Sequence, residues 1–99
     1  MRKLYRCIHD IVYDILEVVA DSIYIGKTRL CSYANLPLDR CSEILDLLME
    51  YGFIIVEEHS GRNVYSLTER GYEYIGLYRK LHELLPLPHR GRHTFREQF

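Results

Sequence analysis

Residues 31–41 read "CSYANLPLDRC". Two cysteines ten positions apart flank an Ala-Asn-Leu-Pro turn. Three arrangements compete for such a stretch: a metal loop, a disulfide loop, or the bend between two packed helices. The flanking sequence bears on the choice. Residues 27–34 fit a short helix, and Asn35 tolerates the left-handed backbone that turns a chain. Pro37 has its φ pre-set for a first helical turn. Beyond it, Cys41, Ile44, Leu45 and Leu48 share one stripe of a helix that runs to Tyr51. Gly52 then serves as a C-terminal cap.

Working outward, Leu4, Ile8, Ile11, Ile15 and Val18 recur at spacings of four and three. That pattern predicts an amphipathic helix over residues 3–21, with Asp10, Asp14, Glu17 and Asp21 mostly on the wet side. "SIYI" (22–25) is a short β-prone stretch ended by Gly26. "FIIVEE" (53–58) and "VYSL" (64–67) are strand-like, with "HSGRN" (59–63) as a hairpin tip. Thr68 reads as an N-cap, and Glu69 places a negative charge in the first turn, where the helix dipole favours it. The last helix runs to about Leu85, and "PLP" (86–88) stops it. The order is helix, short strand, helix, turn, helix, hairpin, helix. This is an α+β fold, mainly α: a winged helix-turn-helix, with three helices, a two-stranded β wing and a long C-terminal helix.

A helix-turn-helix template laid on 27–46 puts its tight turn at Asn35. Cys31 and Cys41 then face each other across the helix crossing, with Ala34, Leu36 and Ile44 also inside. Cysteine is a small, readily buried residue suited to close helix approach. Reduced packing cysteines are the favoured reading. A disulfide pinning the two helices is the alternative, and would need a Cα separation of about 4.4–6.8 Å. Zinc needs four ligands with close pairs; only His89 and His93 have such spacing, and they lie in a tail. No metal is expected. Cys7 stays outside the pair.

The composition bounds the class. Ninety-nine residues with 47% hydrophobic content suffice for one domain with a real core. Net charge is −1, so bulk charge does not announce a nucleic-acid binder. The distribution is uneven: residues 1–85 carry ten Lys/Arg against thirteen Asp/Glu, and residues 86–99 carry three Arg against one Glu. Basic charge gathers at Arg2, Lys3 and Arg6, and again at Arg90, Arg92 and Arg96. Residues 1–88 are expected to form the domain and 89–99 a basic flexible tail. No apolar run approaches the roughly 20 residues that cross a bilayer, and the acidic residues after the N-terminus do not suit a signal peptide. A soluble cytoplasmic protein is the expectation. Three cysteines are an odd set, unlike a secreted disulfide scaffold. Nine tyrosines without a tryptophan suit the boundary between core and water.

"KTRLCSYANLPLDRCSEILDLLMEYGFI" followed by "YSLTERG" resembles the small archaeal winged-helix proteins, which include chromosomal and viral or plasmid regulators with a dimerising C-terminal helix. The matching pieces are Lys27-Thr28-Arg29, Tyr33-Ala34-Asn35-Leu36, Leu48 with Tyr51-Gly52-Phe53-Ile54, and Tyr65-x-Leu67-Thr68-x-x-Gly71. The resemblance covers about residues 8–85. It implies double-stranded DNA binding, homodimerisation and transcriptional regulation or DNA organisation, with no catalytic activity and no cofactor. The chain departs from the pattern on its recognition helix. The groove-facing positions there are Pro37, Leu38, Asp39, Ser42, Glu43 and Asp46, with Arg40 beside them, and three carboxylates facing a polyanion are unfavourable unless each finds a base-edge donor.

Candidate DNA contacts are Lys27, Thr28 and Arg29 at the second helix, Arg62 at the wing tip, and Arg40 and Ser42 on the recognition helix. Phosphate contacts would supply most of the affinity, and Arg40 can fork onto guanine. A protein-interaction module that does not read DNA through the acidic helix is the alternative. An enzyme is not expected: there is no phosphate loop or cofactor motif, and Cys7 and His9 point apart on one helix. No small-molecule ligand and no membrane partner are expected. In the last helix, Tyr72 and Ile75 are expected to face the core. Tyr74, Tyr78, Leu81 and Leu85 form a neighbouring stripe for dimerisation.

Overall fold

In the computed structural model, which describes residues 6–86, the chain forms α1 (Ile8–Ala20), α2 (Lys27–Tyr33), α3 (Leu38–Glu50), β1 (Ile54–His59), β2 (Arg62–Leu67) and α4 (Glu69–Leu84). The winged-helix class and the order of the four helices and the hairpin match the sequence reading, whereas the short strand expected at 22–25 does not form. The expectations for the basic residues Arg2 and Lys3 and for the 89–99 tail lie outside the described residues.

The first helix starts later than its apolar spacing implies. Cys7 is the N-cap, and its backbone N–H donates to the Asp10 carboxylate at 3.2 Å. That reciprocal contact ends the helix and leaves Arg6 in front of it. The expected wet side is also only partly wet. Asp21 is exposed, but Asp14 is 1% exposed and lies among Ile11, Ile15 and Val18. Helix α1 is central: α2, β2 and α4 all pack on it. A helix covered from several directions has room for few solvated positions.

After α1, Tyr24 adopts a positive φ of 62°. This breaks the expected strand, so only Ile25 bridges to the sheet, its carbonyl accepting from the Tyr65 N–H at 2.9 Å. Asn35 takes the left-handed conformation expected of it, φ 63°. The Asn35 N–H donates to Ser32 and the Leu36 N–H to Cys31, both at 3.0 Å, which is a Schellman closure of α2. Pro37 proves to be the N-cap of α3, with extended ψ of 146°, and not its first helical residue; its carbonyl accepts from the Cys41 N–H at 2.9 Å. Gly52, φ 81°, closes α3 in the same manner as Asn35 closes α2.

The wing is a two-stranded antiparallel sheet in which Ile54 pairs with Leu67 and His59 with Arg62. Its turn is only Ser60 and Gly61, both with positive φ (54° and 78°). Such a type I′ turn follows the twist of the strands, so the pairing runs further out than the expected five-residue tip. Thr68 caps α4 as expected, its hydroxyl oxygen accepting from the Gly71 N–H at 3.1 Å. Gly71 has a steric reason: a Cβ there would lie 2.5 Å from the Phe53 carbonyl oxygen.

Helix α4 is rotated from the expected orientation. Ile75 faces the core as expected, but Tyr72 is 57% exposed. Tyr78 is buried instead, stacked on Tyr13 of α1 with ring centroids 4.1 Å apart, and its hydroxyl donates to Asp10. Tyr74 is half-buried between His9 and Phe53. Hydrogen-bond acceptors on α1 draw the tyrosines inward, and spacing within α4 alone cannot reveal those partners.

Candidate nucleic-acid interface

Gly26 is the N-cap of α2, so Lys27, Thr28 and Arg29 form its exposed first turn. They line an open groove of about 910 Å³ with residues 22–25, Ser32, Tyr33 and the wing residues Arg62 and Asn63. Three cationic side chains therefore share one polar depression with hydroxyl and amide groups around them. The Lys27 ammonium donates to the Ser42 hydroxyl at 3.0 Å, which ties the start of α2 to α3.

The structure brings Arg62 into this groove from a position one residue beyond the wing turn, not from the tip itself. Its Nη2 donates to the Tyr24 carbonyl at 3.3 Å, and the Tyr24 ring stacks on His59 at 3.8 Å. The loop after α1 thereby props the outer end of the wing, at the His59–Arg62 pair next to the turn. Arg40 is exposed on α3 and, like Arg29, makes no ion pair with a described residue. Asp39, Glu43 and Asp46 are exposed along the same helix, and Ser42 is half-buried. The buried stripe beneath them is Cys41, Ile44, Leu45 and Leu48, as expected. The Asp46 charge reaches the wing root, where burial first and Asp46 second raise the Tyr65 hydroxyl above its ordinary value.

Between α2 and α3, Cys31 and Cys41 are bonded to each other, with Cα atoms 5.8 Å apart and both side chains buried. Cys7 is outside the pair and exposed. Sequence reasoning missed Arg6. Its Nη1 donates to Asp14 at 2.9 Å and to the Ala34 carbonyl at 2.8 Å, and its Nη2 donates to the Asn35 carbonyl at 2.9 Å. A signal for it was present: an Asp on the apolar side of α1 demands a cation.

A second, apolar groove of about 450 Å³ lies where the start of α1 meets α4, lined by residues that include Cys7, His9, Tyr74, Leu77 and Leu81. Of the residues expected to dimerise, Tyr74 and Tyr78 pack within their own chain, and Leu81 and Leu85 are exposed, at 66% and 60%. Leu77 and Leu84 are exposed beside them, at 62% and 79%. Burial pushes the Tyr74 hydroxyl up to about 12, with Cys7 and Asp10 adding to it. Tyr78 is raised by burial and by its bond to Asp10. No helix among the described residues is long and apolar enough to cross a membrane.

Several solved structures share this fold. Sso10a-2, a DNA-binding protein from Sulfolobus solfataricus, superposes with a TM-score of 0.65 at 26% identity, over 82% of this chain and 86% of that one. SSV1 F-93 superposes with a TM-score of 0.56 at 12% identity, over 86% and 94% of the two chains. The transcriptional repressor CouR, bound to a 23-mer DNA duplex, superposes with a TM-score of 0.66 at 15% identity, over 72% of this chain; the chain spans about half of CouR (52%). No curated protein matches in sequence. A family model described as winged helix-turn-helix matches residues 6–85, from the Arg6 brace to the end of α4. The chain belongs to the winged helix-turn-helix family.

Proposed function

We propose that the chain is a double-stranded DNA-binding transcriptional regulator that acts as a homodimer. The observation that carries this reading is the convergence of Lys27, Thr28, Arg29 and Arg62 on one open groove beside the recognition helix. A neighbour of 26% identity, described as a DNA-binding protein, supports it. In this reading the four residues hold phosphates, and Ser42, bonded to Lys27, orients that ammonium. Arg40 reaches a guanine edge. The carboxylates of α3, from Asp39 in its first turn to Asp46, limit its base contacts, so most of the affinity comes from the backbone.

The exposed leucines of α4, with Tyr74 and Tyr78 beneath them, form the dimer surface; contiguous exposed apolar surface usually marks an interface. A two-fold pair then presents two recognition helices to half-sites about 34 Å apart. Residues 1–88 act as one domain and 89–99 as a basic tail that adds non-specific affinity. No catalytic step, cofactor or small-molecule ligand enters. The acidic face of α3 favours one second reading, a protein-interaction module with a basic partner.

A mobility shift on mixed duplex DNA, at low and then at higher salt, separates the two. Binding at low salt that weakens steeply with added salt is expected. Absence of binding at low salt would favour the second reading.

A further inference from the structure

We infer that Arg6 is a positioning residue for the recognition helix: it locks the α2–α3 turn from the segment ahead of α1 and does not itself touch DNA. The inference rests on the DNA-binding reading above for its functional consequence, and on geometry alone for its structural one.

Arg6 precedes the N-cap of α1, where a cation would ordinarily extend into water. Its side chain is instead folded inward, 16% exposed. The carboxylate it meets, on Asp14, is 1% exposed on the central helix. A buried carboxylate without a cation is strongly unfavourable, so the pair holds the guanidinium at one fixed place. From there it reaches the end of α2. The Schellman closure satisfies the Cys31 and Ser32 carbonyls. The Ala34 and Asn35 carbonyls lie beyond these, at the turn itself, and both accept from Arg6, at 2.8 and 2.9 Å. A positive charge is also favourable at a helix C-terminus.

Helix α3 begins three residues after Asn35. The backbone at Asn35, Leu36 and Pro37 therefore sets how α3 is presented. The cystine fixes one point between the helices, with Cα atoms 5.8 Å apart, and one link still permits rocking about itself. Arg6 supplies a second point, on the turn, and ties both to α1. The guanidinium spreads its three bonds over two nitrogens held in one plane, two from Nη1 and one from Nη2; the ammonium of lysine would have to gather all three acceptors around a single nitrogen, which is a different geometry. The contrast with Arg29 and Arg40 is direct, because those side chains are exposed and make no ion pair with a described residue.

The test uses the full chain and two variants: Arg6→Lys, and Arg6→Met combined with Asp14→Leu. The double variant removes both charges, so no buried carboxylate is left unpaired. Three quantities are read: melting temperature, amide hydrogen exchange over residues 35–41, and affinity for mixed duplex DNA across a salt series. The double variant is expected to melt within a few degrees of the native chain. Its turn amides should exchange about ten-fold faster and its DNA affinity fall about ten-fold, because two charge-assisted bonds to the turn are gone. The slope of log affinity against log salt should not change. Arg6→Lys should fall between native and double variant in exchange and affinity, and decides alone if the double variant does not fold.

Native exchange and native affinity in these variants would overturn the inference, as would a loss of melting temperature with neither quantity altered. A salt slope reduced by about one would mark Arg6 as a phosphate contact instead. If the native chain fails to bind DNA, the functional reading fails, and the exchange of residues 35–41 decides the structural inference on its own.

Discussion

Around the α2–α3 turn, the side chains in contact are small and the fasteners are specific. Cys31, Ala34 and Cys41 are almost fully buried, a disulfide joins two of them, and one guanidinium grips two carbonyls. Along α4 the contacts are broad instead. Tyr78 lies flat on Tyr13, Tyr74 packs edge-on against Phe53, and four leucines remain outside, Leu77, Leu81, Leu84 and Leu85. Covalent and ionic links hold atoms at set distances, which suits a helix that must be presented in one orientation. Stacked rings resist separation but leave an adjoining apolar edge uncovered, which suits a surface awaiting a mate.

The sharpest way to break this comparison is to remove the ring that anchors α4. Tyr78→Ala should cost about 3–5 kcal/mol, as for other large core aromatics, because the side chain is buried against Tyr13 and bonded to Asp10. Thermal or denaturant unfolding checks it. A cost near zero would show that α4 is held by its leucines and not by its tyrosines.

The edge left over makes the next prediction. Leu77→Glu with Leu81→Glu should give folded monomers, since both residues are exposed at 62% and 66%. Affinity for a two-half-site duplex should fall about 100-fold through lost bivalency. Sedimentation reads the first outcome and a mobility shift the second. A native chain that sediments as a monomer at micromolar concentration would remove the premise.

On the other side of the comparison, the disulfide closes a ten-residue separation between buried sulfurs. Unfolded, unreduced protein should titrate one thiol, from Cys7, and three after reduction. Reduction should cost about 2–3 kcal/mol, the order expected for so short a loop. Three thiols before reduction would leave Arg6 as the main fastener of the turn.

High pH should loosen α4 before it loosens the turn. The native Tyr74 hydroxyl is held up to about 12, chiefly by burial, while in the unfolded chain it titrates near 10. Between those values the unfolded state has released its proton and the native state has not. Stability is therefore intact below pH 10 and declines as pH rises towards 12. Tyr74→Phe should flatten that decline in a melting series. An equally steep decline in the variant would move its origin elsewhere.

Legibility in the sequence divides along the same line. Asn35, Gly52 and Thr68 were readable because a turn or a cap is a local demand on backbone conformation or on one donor. Cys31 and Cys41 could be placed face to face from helix geometry, but thiol and disulfide have the same spacing, and redox state is not written in it. Orientation of α4 was not readable, since its apolar residues span too wide an arc to choose a face. The choice was made by Tyr13 and Asp10, more than sixty residues away. Asp14 was misplaced for a related reason: its cation comes from Arg6, eight residues earlier and outside the helix. At the interface, the groups at 27–29 were visible as the start of a helix. The approach of Arg62 to Tyr24 depends on how the wing lies against the preceding loop.

The smallest expected effect separates two kinds of arginine. Arg62 is exposed and spends one weak bond, at 3.3 Å, on the Tyr24 carbonyl. It can exchange that bond for a phosphate, releasing a counterion as it does so. Arg62→Ala should therefore weaken DNA binding a few-fold on every sequence and lower the salt slope by about one, with melting temperature nearly unchanged because an exposed residue carries little of the core. The brace at Arg6 should show the opposite pattern, lost affinity at constant slope. If Arg62→Ala leaves the slope intact, its role is to hold the wing against Tyr24 and His59, and the groove's phosphate contacts fall to Lys27, Thr28 and Arg29. If the loss appears on one sequence and not on others, Arg62 reads a base edge, and the wing carries specificity that the acidic recognition helix does not.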